Sequence, residues 1–234
     1  MNSIFVFPLF KGLNREQCEK LSGIAVTRFY EKGQLVFCEG DEGTGFFMVL
    51  SGQVKVYKLS SIGKEQIYHF FNPGETFGEV AVFSDGGFPA YAEATSRTEL
   101  SFYPRADFMH LMKIDPALSI NMLSILSYRL REFSGLIERL SLKDVSARLA
   151  SYLLTLSEEC NKTEVSLTIP KRQLASLLGT IPSTLSRVLT KMNTLGVIKS
   201  GETRIQILDL ASLKLISMEG IGTIDKDTEG RTSE

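Results

Sequence analysis

The sequence predicts an α+β chain in three parts: an N-terminal β-roll, a long dimerisation helix and a C-terminal winged helix-turn-helix. Three observations predict it. Short β-branched and aromatic runs, punctuated by turn residues, fill the stretch from Thr27 to Tyr103. After Asp107 the apolar period changes from two to helical. Between Pro170 and Leu208, two short amphipathic helices precede a hairpin pattern. The expected divisions are 1–106 for the roll, 107–140 for the long helix, 141–218 for the last module and 219–234 for a disordered polar tail.

The bulk numbers agree with a globular chain. At 234 residues and 43% hydrophobic content there is room for one large domain or two modest ones. No apolar run approaches the roughly 20 residues that span a bilayer. The N-terminal MNSIFVFPLFKGL lacks a basic start and a small-residue cleavage site, so a cytoplasmic protein without a membrane partner is expected. Cys18, Cys38 and Cys160 are widely spaced and show no metal-ligand spacing, and read as reduced thiols. A formal charge of -1 argues against indiscriminate coating of nucleic acid but leaves room for a local basic patch.

In chain order, Asn14 to Leu21 reads as a short capped helix. The strands of the roll are carried by Gln34-Leu-Val-Phe37, Phe46-Phe-Met-Val-Leu50, Gln53-Val-Lys-Val-Tyr57 and Gln66-Ile-Tyr-His-Phe-Phe71. Turns fall at Glu31 to Gly33, Glu39 to Gly43, Ser51-Gly52, Ile62 to Lys64 and Asn72 to Gly74. Next comes GETFGEVAVFSDGGFPAYAEA, Gly74 to Ala94, whose glycine spacing suits a loop wrapped around a small ligand. An anionic ligand would also demand a cation, yet no Lys or Arg occurs between Gly74 and Ser96.

On the long helix, Met122, Leu126, Arg129, Phe133, Leu136 and Leu140 follow at spacings of 4, 3, 4, 3 and 4, the a/d seam of a coiled coil. Ile125, Leu130 and Ile137 supply a second stripe, so the helix is expected to touch its own roll on one side and a twin helix on the other. Arg129 is the odd member, a polar group able to fix register. The hinge is expected near Leu140 to Asp144, with Asp144 as N-cap of the next helix and Val145, Leu149, Leu153 and Leu156 as its apolar face. A strand-like Val165 to Ile169 follows.

Residues 170 to 195 then read as two helices around a turn at Gly179-Thr-Ile181. Leu174, Leu177 and Leu178 line the inside of the first. Pro182 opens the second, and Leu185, Val188, Leu189 and Met192 point inward. Ser183, Thr184, Ser186, Arg187 and Lys191 then point outward. A helix offering small hydroxyls and an arginine near its N-terminus fits the major groove, where arginine bonds guanine O6 and N7. A hairpin turning at Gly201 adds a wing. Lys171, Arg172, Arg187, Lys191, Lys199 and Arg204 stand against Glu202 in residues 166–208, a local balance of +5 that points to duplex DNA.

The order of these parts resembles the Crp/Fnr superfamily of bacterial transcription regulators over roughly residues 5–215. The matching residues are Gly52-Gln-Val-Lys-Val, Gly74-Glu-Thr-Phe-Gly-Glu79, Asp144-Val-Ser-Ala-Arg148 and Leu178-Gly-Thr-Ile-Pro-Ser-Thr-Leu-Ser-Arg187. The resemblance implies a cyclic-nucleotide-binding-like roll and a homodimer on palindromic double-stranded DNA that alters RNA polymerase activity. It assigns guanine reading to Arg187 and backbone contact to Thr184 and Ser186. Lys171, Arg172, Lys191 and Arg204 complete the expected DNA face. Ser183 stands where many members carry a glutamate, and Pro182 where cAMP-responsive members carry an arginine.

The sensor departs further. Pro89-Ala90 occupies the place of the Arg-Ser pair that neutralises a cyclic phosphate, while Glu79 matches a ribose-binding glutamate. The loss of a charge-assisted bond, worth roughly 1.5 to 3 kcal/mol, argues against cAMP. With Cys18 as its only N-terminal cysteine, the chain also lacks the cluster that an iron-sulfur sensor needs. The phrase Gly87-Phe-Pro-Ala-Tyr-Ala-Glu-Ala94 resembles the HcpR/Dnr-type regulators of nitrosative stress, which implies heme and nitric oxide sensing. The expected effector pocket is Phe77, Gly78, Glu79, Val80, Phe83, Phe88, Pro89, Ala90 and Tyr91, with His69 or His110 as axial ligand. A thiol-redox switch and a small apolar or acidic effector are the alternatives. No nucleophile with a base, metal cluster or Walker loop suggests an enzyme. A regulatory subunit that docks protein through its helix-turn-helix is the rival of another class.

Overall fold

The computed structural model describes residues 7–84 and 86–222. Among the described residues no helix is long and apolar enough to cross a membrane. Two compact units divide at Phe133/Ser134. The first begins with a 3-10 turn, Pro8–Phe10, and helix α1, Arg15–Gly23. Asn14 and Gln17 close a reciprocal cap at the start of α1, satisfying two orphan backbone donors.

Two four-stranded antiparallel sheets form the roll. One pairs β1 (Val26–Tyr30), β8 (Thr98–Pro104), β3 (Gly45–Ser51) and β6 (Thr76–Phe77) in that order. The other pairs β2 (Leu35–Phe37), β7 (Tyr91–Ala94), β4 (Val54–Leu59) and β5 (Glu65–Phe71), and a short helix, α2 (Val80–Phe83), follows β6. Strand β3 explains the unbroken apolar run at Phe46. Successive side chains point to opposite faces, so Phe47 and Val49 enter the roll while Phe46 and Met48 join a second core under the helices. Inside the roll Phe37, Phe47, Phe71, Phe77, Phe88 and Phe102 pack together. Beneath the helices Phe46 stacks on Tyr103 at 4.9 Å and meets Phe108 edge-on at 4.7 Å.

The helix expected over 107–140 is two helices. Helix α3 spans Arg105–Ile114 and α4 spans Pro116–Leu142. Pro116 bars helical backbone at the residue before it, and Asp115 is extended at φ -125, ψ 97. Its carboxylate accepts from the Ala117 amide at 3.0 Å and so caps α4. The long helix is not a separate domain either, since its first part belongs to the roll unit.

The expected seam also needs correction. Met122 is buried with Leu9, Phe10 and Phe108, Leu126 packs against that cluster, and Phe133 meets Tyr68 edge-on. Leu136 and Leu140 are half-buried. What α4 leaves uncovered is chiefly the row one position along, Ile120, Leu123, Leu130 and Ile137, interleaved with Ser127, Ser134 and Ser141; Tyr128, Phe133 and Leu142 are exposed as well. Both rows have heptad spacing, so periodicity alone could not say which one the roll takes.

In the second unit, α5 (Val145–Cys160) starts at the expected cap, the Asp144 carboxylate accepting from the Ala147 amide at 2.7 Å. Then come β9 (Glu164–Ser166), α6 (Lys171–Leu177), α7 (Pro182–Thr194), β10 (Ile198–Ser200), β11 (Arg204–Ile207) and α8 (Leu210–Glu219). The strands pair antiparallel in the order β10-β11-β9. The expected strand over 165–169 is limited to 164–166. Of the stretch expected as a tail from residue 219, Glu219 closes α8 and the Ile221 amide donates to Ser146 Oγ at 2.8 Å. Residues 223–234 lie outside the described residues.

Phe46→Ala removes a ring that both Tyr103 and Phe108 contact, and is expected to cost about 3 to 5 kcal/mol in urea unfolding. Phe29→Ala, on the exposed face of β1, should stay within about 0.5 kcal/mol of the parent.

Candidate nucleic-acid interface and ligand loop

Helix α6 ends at Leu177, and Gly179 at φ +67 turns the chain toward α7. Leu185, Leu189 and Met192 bury the inner face of α7, which leaves Ser183, Ser186, Arg187, Thr190 and Lys191 exposed. Thr184 is half-buried, and its Oγ1 accepts from Arg187 Nη2 at 3.3 Å, a bond that aims the guanidinium outward. Arg172 is exposed on α6. Lys171 and Arg204, expected on the same face, make contacts within the module that the sequence did not show. Lys171 Nζ donates to the Gly201 carbonyl at the wing turn, 2.8 Å away. Arg204 pairs with Glu164 across β11 and β9 at 3.3 Å. Glu164 lies just outside the window that gave the local charge.

A further residue of the reading head had no part in the sequence-based face. Asn193, near the end of α7, accepts from the Ser200 amide at 2.8 Å and donates to Ser200 Oγ at 2.9 Å. With Lys171 it fastens the wing to both helices of the motif. An asparagine in the last turn of a helix, seven residues before a strand's end, is the only sequence signal for it.

The ligand loop answers its missing charge in two ways. At Gly78, φ +79, an added Cβ would lie 3.1 Å from the Phe88 ring and 3.4 Å from Phe37. The cradle is occupied by the protein's own aromatics, since Phe37 and Phe88 stack at 3.7 Å. A cation also arrives from outside the loop. Lys58 Nζ donates to the Pro89 carbonyl at 2.9 Å and pairs with Glu39 at 2.6 Å.

The nine expected pocket residues differ in exposure. Phe77, Phe88, Ala90 and Glu79 are buried, while Val80, Phe83 and Pro89 are exposed. Tyr91 stacks on Tyr57 across β7 and β4 at 5.5 Å. A concavity of about 830 Å³ lies beside the loop, where Glu75 and Thr76 face Asn121, Ser124, Tyr128 and Arg129 of α4.

Arg129 ties that helix to the loop. Its Nη1 bonds Glu132 at 2.7 Å, and its Nη2 reaches the Thr76 carbonyl at 3.4 Å and Glu75 at 3.6 Å. The guanidinium lies over Phe71, 4.5 Å from the ring centre. Burial alone would raise the Glu75 carboxyl. The hydrogen bonds from His69 and the Asn72 amide, with the Arg129 charge, outweigh it and hold Glu75 below its usual range. Glu79 goes the other way: it is buried beside Thr76, whose hydroxyl donates to it, and burial pushes its pKa up.

The histidines do not fit heme. His69 Nε2 shares a 3.1 Å hydrogen bond with Glu75 and lies edge-on to Phe71, while His110 is exposed on α3. Phe71, which His69 meets, belongs to the rings packed in the roll interior. Among the described residues no three His, Cys, Asp or Glu side chains gather as metal ligands. Cys18 is buried, which raises its thiol pKa; Cys38 is half-buried and Cys160 exposed.

Comparison with known proteins agrees with both halves. The cyclic nucleotide-binding domain family matches residues 27–115, and the Crp-like helix-turn-helix domain family matches residues 147–216. The chain is 31% identical to the cyclic AMP receptor protein of Thermus thermophilus, over 90% of this chain and 96% of that one. It is 27% identical to the transcriptional activator protein anr of Pseudomonas aeruginosa, over 81% and 79%. Among solved structures, FixK2 from Bradyrhizobium japonicum superposes with a TM-score of 0.69 at 25% identity, covering 82% of this chain and 96% of that one.

Glu79→Gln tests the buried carboxyl. A raised folded-state pKa means that burial carries no charge penalty below pH 4.5, where both states are protonated, and that stability falls as pH rises through the folded pKa. The glutamine variant should match the parent near pH 4 and exceed it at pH 7 in denaturant midpoint. Equal midpoints at pH 7 would show that Glu79 carries no such penalty.

Proposed function

The chain belongs to the Crp/Fnr family of DNA-binding transcription regulators, and from that premise we propose that it acts as a cytoplasmic homodimer on palindromic double-stranded DNA, altering RNA polymerase activity there. One observation carries the reading: α7 presents Ser183, Ser186 and Arg187 together on an exposed face, beside a wing fastened to the same motif. Arg187 bonds guanine, Ser183, Thr184 and Ser186 reach phosphates or bases, and Arg172, Lys191 and Lys199 neutralise the backbone. Pairing of two chains through Ile120, Leu123, Leu130 and Ile137 covers the uncovered row of α4 and sets two reading heads about 34 Å apart, one turn of duplex.

Effector control in this reading runs through α4. The cradle at Gly78 is filled by Phe37 and Phe88, and the Pro89-Ala90 pair lacks the arginine that would hold a cyclic phosphate. The groove beside Arg129 borders both the loop and the helix, so a small molecule lodged there would bear on both. A ligand acts only through different affinity for two arrangements of the dimer. The poor fit of His69 and His110 leaves no step to be assigned to heme.

Selection from random duplexes should yield one palindrome, with affinity that falls steeply as salt rises. A protein-docking module would select none. On the selected duplex Arg187→Ala should cost about 1 to 3 kcal/mol and relax preference at one base pair per half-site. Leu130→Asp should sediment as a monomer and lose most affinity for the two-half-site duplex; a variant that stays dimeric would place the interface elsewhere.

A further inference from the structure

Among the described residues between Lys143 and Ile207, Ile181 is the one large apolar side chain left exposed, at 49%. It is not in a loose loop. Its backbone is extended at φ -110, ψ 154, directly before α7, and its carbonyl accepts from the Thr184 and Leu185 amides at 3.1 Å. The first turn of the recognition helix therefore holds Ile181 in place. Pro182 follows it, also exposed and with no N–H to donate. The outward neighbours Ser183 and Ser186 are short, so nothing between Ile181 and Arg187 holds a duplex away from this end.

We propose that Ile181, with Pro182 beside it, reads a thymine 5-methyl group in each half-site, a role that rests on the DNA-binding reading above. The N-terminal residues of a recognition helix meet base edges in the major groove. The thymine methyl is the apolar group that those edges present. Where Ile181 and Pro182 stand, the reading head has no side-chain donor or acceptor, so base discrimination there comes from apolar contact. Covering the isoleucine with a methyl removes both from water.

Replacing thymine by uracil deletes only that methyl and leaves every hydrogen-bonding group in place. Fluorescence anisotropy with the selected palindrome, each symmetric thymine pair replaced in turn by uracil, reads the contact directly. One pair should weaken binding of the native protein by about fourfold per half-site, the loss expected for one buried methyl-sized group. Ile181→Ser should bind the thymine and uracil duplexes alike at that pair, while Arg187→Ala keeps the discrimination. An unchanged thermal melt confirms that Ile181→Ser folds. Indifference of the native protein to every uracil pair, or native discrimination in Ile181→Ser, overturns the proposal while leaving DNA binding intact. Failure to select any duplex overturns the underlying reading as well.

Discussion

The guanidinium of Arg129 lies over Phe71, bonds Glu132 on its own helix and reaches Glu75 and the Thr76 carbonyl on the ligand loop. These contacts set the rotation of α4 about its axis. With Arg129 turned toward the roll, Met122 and Leu126 must follow it inward and Leu123, Leu130 and Ile137 must face out. The anchor is not fully satisfied, because Arg129 Nε is buried without a hydrogen-bond partner among the described residues. A fully apolar contact would have avoided that cost. What the arginine adds is a link between the helix and the loop that packing alone would not supply.

The loop on the other end of that link closes on aromatic side chains of the roll. Gly78 still takes positive φ, but the space it opens holds the Phe88 ring, itself stacked on Phe37. A polar ligand there would have to displace a stacked aromatic pair from a core of six phenylalanines. Glu79 is buried in the same loop, and burial raises its carboxyl pKa against the Thr76 hydrogen bond and the Arg129 charge, which lower it. Lys58 stays outside, held by Glu39 and the Pro89 carbonyl.

Most of the architecture was legible because it is written in local periods: alternation in the strands, helical spacing after Asp107, and proline and glycine at the turns of the reading head. The α3–α4 break was legible too, in Asp115-Pro116, but the apolar spacing runs on across it and hid the signal. The face that α4 turns to the roll could not be read. It depends on Arg129 meeting a carbonyl 53 residues earlier in the chain, and two rows of equal period compete for it. The filling of the cradle was hidden for the same reason, since Phe37 reaches Phe88 only after β2 and β7 pair. In the reading head spacing put Ser183, Ser186, Arg187 and Lys191 outward, as the structure has them, whereas Thr184 is half-buried and the contact of Lys171 with a wing carbonyl has no local signal.

That fastening bears on how tightly a reading head can hold a duplex. A hairpin joined to its module only through its own strands would lose freedom when it settled on the backbone, and that loss would be subtracted from the affinity. Here Lys171 holds the turn at Gly201 and Asn193 holds Ser200, so the hairpin has given up that freedom during folding. The wing is ordered before any duplex arrives, so that loss would not be subtracted from contacts it made there.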